Sequence, residues 1–148
     1  MPQTTVFIGS SSAAKSQARA VIQRFSGPTL RFLPWWDAFD PGRTLLEDLD
    51  AISAKVHAAL MIFTPDTESI VRGKEVHVPN LNVLFEFGYF SGRFGRAKVA
   101  MLKYGDFYLP SDFGGYVHIF GSTAFRRGVA VPVGPRTERE FTRWVQAV

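Results

Sequence analysis

The sequence predicts an α/β fold in which a central parallel sheet of five strands carries helices on both faces. Short apolar runs of strand length alternate with segments of helical periodicity, which is the order expected of βαβ units. One run, HAALMIFT at 57–64, is apolar almost throughout, as is typical of a strand buried on both faces of a parallel sheet. No internal repeat or linker interrupts this order, so residues 1–148 are predicted to form one domain.

The first elements are a strand, a helix and a second strand. Residues 4–8 are β-branched and aromatic, and the sequence GSSS ends this strand. Apolar residues recur on one face over 12–25, which predicts a helix that ends at Gly27-Pro28. The second strand is predicted over 29–33, where a proline follows it.

A loop rich in aromatic residues and turn formers, WWDAFDPG, follows the second strand. A helix is then predicted over 45–56, because Thr44 and Glu47 have the spacing of a capping box. The buried strand at 57–64 comes directly after this helix.

The second half of the chain begins with residues 65–79, which are polar and without periodicity and are therefore predicted to form a mobile loop. A helix follows from about 80–82 to 94. Strands are predicted over 97–102 and 116–120, and a last helix over 138–147.

The composition is that of an ordinary globular protein and excludes several classes of function. Cysteine is absent, which excludes disulfides and thiolate metal sites and predicts a cytoplasmic location. No apolar run approaches the ~20 residues needed to cross a bilayer, so no membrane partner is expected. The net charge of +4 comes from scattered basic residues rather than a basic stripe, which argues against nucleic acid binding. His57, His77 and His118 lack metal-ligand spacing, so no metal site is predicted.

The stretch NVLFEFGYF at 82–90 places one carboxylate, Glu86, in an otherwise apolar and aromatic helix. At about 100° per residue, Asn82, Glu86, Tyr89 and Arg93 fall on one stripe of that helix. A helix that is apolar nearly all round is buried, so its polar stripe must face a cleft or a partner. The alternative is a charge favoured by the helix dipole, and the residues alone leave both explanations open.

The loops that follow the strands hold the other candidates, because ligands of such sheets bind at the carboxyl ends of the strands. The stretch Gly9-Ser10-Ser11-Ser12 offers backbone N–H groups and hydroxyls to an anion or a ribose, although a helix cap without ligand would look the same. A tryptophan of the Trp35-Trp36 pair can stack on a base or nicotinamide, or the pair can belong to the core. Asp66 can reach the same cleft or simply form a turn.

Taken together, these segments resemble the bacterial TIR-like domain family of cyclic-nucleotide anti-phage signalling, as in TIR-STING and TIR-SAVED proteins. The resemblance covers nearly the whole chain and rests on these stretches: VFIGSSS at 6–12, WWDAFDPGRTLLEDL at 35–49, MIFTPD at 61–66, NVLFEFGYFSGRFGR at 82–96 and LPSDFGG at 109–115. It implies a TIR-like, flavodoxin-type fold of three layers. One departure is Pro79-Asn80-Leu81, where the family often has an arginine before the glutamate motif.

The resemblance also implies an activity. Enzymes of this family cleave NAD+ at the nicotinamide–ribose bond, and the glutamate of the motif, Glu86 here, is their catalytic residue. NAD+ would then be the substrate, with no further cofactor and no metal. The residues expected to bind it are Gly9, Ser10, Ser11, Trp36, Phe39, Arg43, Asp66, Asn82 and Tyr89.

Regulation is implied as well, because TIR-like enzymes are typically activated when monomers associate. The loop at 37–43 corresponds to the assembly-sensitive loop of the family. The family habit further implies a fused or partner sensor domain that binds a cyclic nucleotide, with this chain as the effector part of a longer protein. Two alternatives remain open: a TIR module that only assembles, and an enzyme similar to nucleoside deoxyribosyltransferases.

Overall fold

The computed structural model describes residues 2–148. The strands are β1 Thr4–Gly9, β2 Leu30–Pro34, β3 Ala58–Phe63, β4 Thr67–Val71, β5 Lys74–Val78, β6 Val99–Tyr104 and β7 Val117–Ser122. Five of them form a parallel sheet in the order β2-β1-β3-β6-β7. The helices are α1 Lys15–Phe25, α2 Leu45–Ser53, α3 Leu81–Phe94 and α4 Pro135–Gln146.

The sheet separates two apolar clusters, which makes the fold three-layered as predicted. Every residue of β3 is buried, and its side chains alternate between the two faces. Leu60 packs with residues of α1 and α4, whereas Met61 packs with residues of α2 and α3. The continuous apolar run of β3 is therefore explained by burial on both faces.

The prediction that 65–79 lacks regular structure is wrong. The segment forms an antiparallel hairpin of β4 and β5, which pair from Thr67 with Val78 to Val71 with Lys74. Its turn is Arg72-Gly73, with φ of 52° and 79°, and positive φ at both central residues matches the twist of a two-residue hairpin. Asn-Gly is the usual signal for such a turn, and Arg-Gly is a much weaker one.

The helix starts follow local sequence rules. Thr44 and Glu47 form the predicted capping box: the Glu47 amide donates to Thr44 Oγ1 at 3.2 Å, and the Thr44 amide donates to Glu47 Oε1 at 3.0 Å. Helix α4 begins at Pro135, three residues before the predicted start, because proline is well suited to the first helical position. None of the helices in residues 2–148 combines the length and apolar character needed to cross a membrane.

The parallel strands bring the loops after β1, β2 and β3 to one edge of the sheet. A 3₁₀ turn at Ser12–Ala14 follows β1, and another at Trp35–Asp37 follows β2. Helix α3 begins beside these loops, directly after the hairpin. This edge of the molecule contains the candidate site.

Candidate active site

Glu86 lies on α3 with only 6% of its surface exposed, and it borders a cavity of about 560 Å³. The first turns of α3 line this cavity through Asn82 and Val83. The loop after β1, called the serine loop here (residues 10–12), lines it as well. The polar stripe predicted on α3 therefore faces a cleft at its start, where Asn82 and Glu86 are one turn apart.

The electrostatic setting of Glu86 is unusual for a carboxylate. Burial raises its pKa from the ordinary 4.5 to about 7, and within residues 2–148 no charged group or hydrogen-bond donor contributes to that shift. An acid with a pKa near neutrality can accept or release a proton under physiological conditions. The ionised carboxylate can also pair with a cationic group bound in the cavity, because no cationic side chain in residues 2–148 contributes to its pKa shift.

The serine loop is held in place by Trp35. The indole Nε1 donates to Ser10 Oγ at 2.8 Å, and Ser10 Oγ donates to the Ser11 carbonyl at 2.8 Å. Ser10, Ser11 and Ser12 all border the cavity together with Trp35. The serine loop and Glu86 therefore line the same cavity.

Aromatic and aliphatic side chains complete the cavity. Phe39 borders it and packs edge-on against Phe7, with ring centroids 6.3 Å apart. Leu45, at the start of α2, lies at the cavity and is 37% exposed. These groups lower the local dielectric around Glu86, in agreement with its raised pKa.

The predicted site residues divide into two groups. Those that border the Glu86 cavity are Ser10, Ser11, Phe39 and Asn82. Those that do not border it are Gly9, Trp36, Arg43, Asp66 and Tyr89.

Each of the outlying residues has a different environment. Trp36 packs against the core on the α1 side, with Lys15 Nζ 5.1 Å from the centroid of its ring. Arg43 borders a separate cavity of about 590 Å³ between β2 and α2. The Tyr89 hydroxyl donates to Asp50 on α2, so the predicted stripe faces a neighbouring helix at Tyr89, C-terminal to Glu86.

Gly9 and Asp66 lie next to the serine loop: Gly9 directly precedes it in the sequence, and Asp66 forms a hydrogen bond with Ser11. A Cβ added at Gly9 would lie 2.4 Å from Met61 Cε, so the buried Met61 side chain would have to shift to accommodate it. The Asp66 carboxylate accepts hydrogen bonds from Ser11 Oγ, Thr64 Oγ1 and the Asn80 amide.

The predicted binding residues include Trp36 of the tryptophan pair, whereas Trp35 borders the cavity. They also omit Asn80, together with Ser12, Leu45 and Val83. The WW pair was recognisable, but adjacent residues of a 3₁₀ turn point in different directions, and only the packing decides which one faces the cavity. Asn80 occupies the segment in which an arginine was expected, and it caps α3 by accepting from the Asn82 and Val83 amides at 2.9 and 3.3 Å. An asparagine before an apolar helix is an N-cap signal that could have identified it.

Comparisons with known proteins agree on one family. A family profile described as the TIR domain of CAP12/Pycsar effector proteins matches residues 5–121. The CD-NTase-associated protein 12 of Sphingobacterium faecium is 32% identical over 110 residues, which cover 74% of this chain and 34% of that protein. The Pycsar effector protein PaPycTIR of Pseudomonas aeruginosa is 33% identical over 117 residues, which cover 77% of this chain and 38% of that protein. The chain therefore spans little more than a third of the length of these relatives.

Proposed function

Because this chain belongs to the CAP12/Pycsar effector TIR-domain family, we propose that it is the effector domain of an anti-phage protein and that it cleaves NAD+ at the nicotinamide–ribose bond. The observation that carries this proposal is the buried carboxylate of Glu86, which borders a cavity and has no cationic partner in residues 2–148.

The chemistry requires a negative charge beside the ribose. When the bond between C1′ and the nicotinamide nitrogen breaks, its electron pair leaves with nicotinamide, and the ribose becomes oxocarbenium-like. A carboxylate close to C1′ stabilises this developing positive charge, most strongly where the dielectric is low. Water then adds to C1′, and Glu86 is suited to accept its proton because the pKa of that carboxyl is about 7.

The walls of the cavity fit the two kinds of group that NAD+ would place there. Trp35 and Phe39 offer aromatic surface for the nicotinamide ring. Ser10, Ser11 and Asn82 offer hydrogen-bonding groups for the ribose hydroxyls or the neighbouring phosphate. The cavity volume of about 560 Å³ is in the ordinary range for small-molecule sites.

Self-association forms part of the proposal. Leu46, Leu81 and Phe85 are 53%, 72% and 48% exposed. Each is adjacent in the sequence to a residue that borders the cavity. Leu81 and Phe85 are four residues apart and therefore share one face of α3, and exposed apolar residues that lie side by side can mark an interaction surface. We therefore expect the isolated domain to be weakly active and a fused or partner domain that senses a cyclic nucleotide to bring copies together.

The test is incubation of NAD+ with the protein under crowding or forced oligomerisation, with the products identified by mass spectrometry. Nicotinamide release is expected from the native chain and is expected to be lost in Glu86→Gln. Glu75→Gln is a matched control, since Glu75 is exposed on the β4–β5 hairpin. Equal release from the native and Glu86→Gln proteins would refute the role of Glu86.

Two additional assays, of self-association and of base exchange on deoxynucleosides, separate the alternatives. Self-association without any consumption of NAD+ would favour a TIR module that only assembles. Base exchange on deoxynucleosides, with NAD+ left intact, would favour an enzyme similar to nucleoside deoxyribosyltransferases.

A further inference from the structure

We propose that Asp66 is a positioning residue that holds the two walls of the Glu86 cavity together without contacting the substrate. Its effect on turnover rests on the proposed function, but its effect on the geometry of the cavity does not.

One carboxylate oxygen of Asp66 joins the serine loop to the end of β3. Oδ1 accepts from Ser11 Oγ at 2.8 Å and from Thr64 Oγ1 at 2.7 Å. Ser11 and Thr64 are both buried, with 6% and 0% of their surface exposed. These bonds therefore fix the serine loop to the central strand from the inside.

The other oxygen joins the same carboxylate to the helix that carries Glu86. Oδ2 accepts from the Asn80 amide at 2.9 Å, and Asn80 in turn caps the first turn of α3 through the Asn82 and Val83 amides. Glu86 lies one turn after Asn82 on the same helix. Asp66 thus connects two parts of the cavity wall, the serine loop and the start of α3, through two short chains of hydrogen bonds.

The Asp66 side chain does not border the Glu86 cavity and is therefore not placed to contact a ligand there. It borders a second cavity of about 530 Å³, which is also lined by Glu68, His77 and Arg127. Both of its oxygens are already engaged by donors from the protein. The residue therefore acts through Ser11 and Asn80.

This arrangement predicts different outcomes for two substitutions. In Asp66→Asn, the amide oxygen can accept from the Asn80 amide, while the NH₂ group donates to the two hydroxyls, which rotate to accept. In Asp66→Ala, all three donors lose their partner. A residue that acts by position tolerates asparagine, whereas a residue that acts by charge on a cationic substrate does not.

The test measures amide hydrogen exchange by NMR in the native chain and both variants. Asp66→Ala is expected to accelerate exchange of the Asn80, Asn82 and Val83 amides by about 10- to 100-fold, and Asp66→Asn by less than about threefold. The Glu47 amide, held by the separate cap at Thr44, is the internal control and should not change. If Asp66→Ala does not fold, Thr64→Val removes one of the three donors and should give a smaller acceleration at the same amides.

Turnover of NAD+ in assembled protein provides the second readout. Asp66→Asn should retain most of the native kcat, and Asp66→Ala should lose at least about tenfold. Unchanged exchange at Asn80 and Val83 in Asp66→Ala would overturn the inference, and so would equal loss of kcat in both variants. If the native chain releases no nicotinamide, the proposed function fails, and the exchange rates alone decide whether Asp66 holds the walls together.

Discussion

Burial of Glu86 should make the protein less stable as the pH rises, and replacement of Glu86 by glutamine should remove this dependence. The folded-state pKa of about 7 lies above the ordinary 4.5, so between these values the folded chain binds more protons than the unfolded chain. Stability therefore falls as the pH rises through this interval. Each pKa unit corresponds to about 1.4 kcal/mol, which gives a penalty of about 3 kcal/mol for the ionised carboxylate above pH 7.

Glutamine has the same shape and no charge, so Glu86→Gln should be about 3 kcal/mol more stable than the native chain at pH 8 and less than about 1 kcal/mol more stable at pH 5. For a chain of this length, the difference at pH 8 corresponds to a rise in Tm of about 6–12 °C. Urea and thermal unfolding of both proteins at the two pH values measure it.

Glu75→Gln provides the control, because Glu75 is exposed and its replacement should shift stability by less than about 0.5 kcal/mol at either pH. If the difference between the native chain and Glu86→Gln is the same at pH 5 and pH 8, or is larger at pH 5, the pKa of Glu86 is not raised in the folded chain and the electrostatic argument for the site is refuted.

Two further predictions concern Gly9, which directly precedes the serine loop, and Trp35, which borders the cavity. Gly9→Ala should cost about 1–3 kcal/mol in the free energy of unfolding, because the new Cβ would collide with Met61, whereas Gly92→Ala, with nothing within 4 Å on α3, should be neutral or stabilising by up to about 1 kcal/mol. Urea unfolding of both variants checks this, and equal effects would contradict it. Trp35→Phe should reduce nicotinamide release by about tenfold through loss of the indole donor to the serine loop, while Trp36→Phe, outside the cavity, should leave release within about twofold of the native rate. A larger loss in the Trp36 variant would show that the wrong tryptophan has been assigned to the site.

The elements that could be predicted from the sequence are those that local patterns determine. Strand β3 is a continuous apolar run because both of its faces are covered, and the cap at Thr44 needs only two residues three positions apart. The hairpin at 67–78 has no such signal, because its strands are half exposed and its turn lacks the usual Asn-Gly.

For the site, too, the sequence predicts what a local pattern determines and not what depends on contacts between elements. Helical spacing places Asn82 and Glu86 on one face, and both border the cavity. The same spacing also includes Tyr89, but the hydroxyl of that residue meets Asp50 because α2 packs there. Contacts between separate elements decide which part of a stripe faces a cleft, and a pattern on a single helix contains no information about its neighbours.

The hairpin between β3 and α3 also bears on how the chain can be lengthened. Its two ends are joined at the base, where the Asp66 amide donates to the Val78 carbonyl at 3.1 Å, and its Arg72-Gly73 turn is exposed at the far end. Residues added at that turn extend outward from a closed base, so they do not alter the path by which the chain enters α3. The turn is therefore the natural position at which a fluorophore or an epitope can be inserted to follow assembly while the Glu86 cavity stays intact.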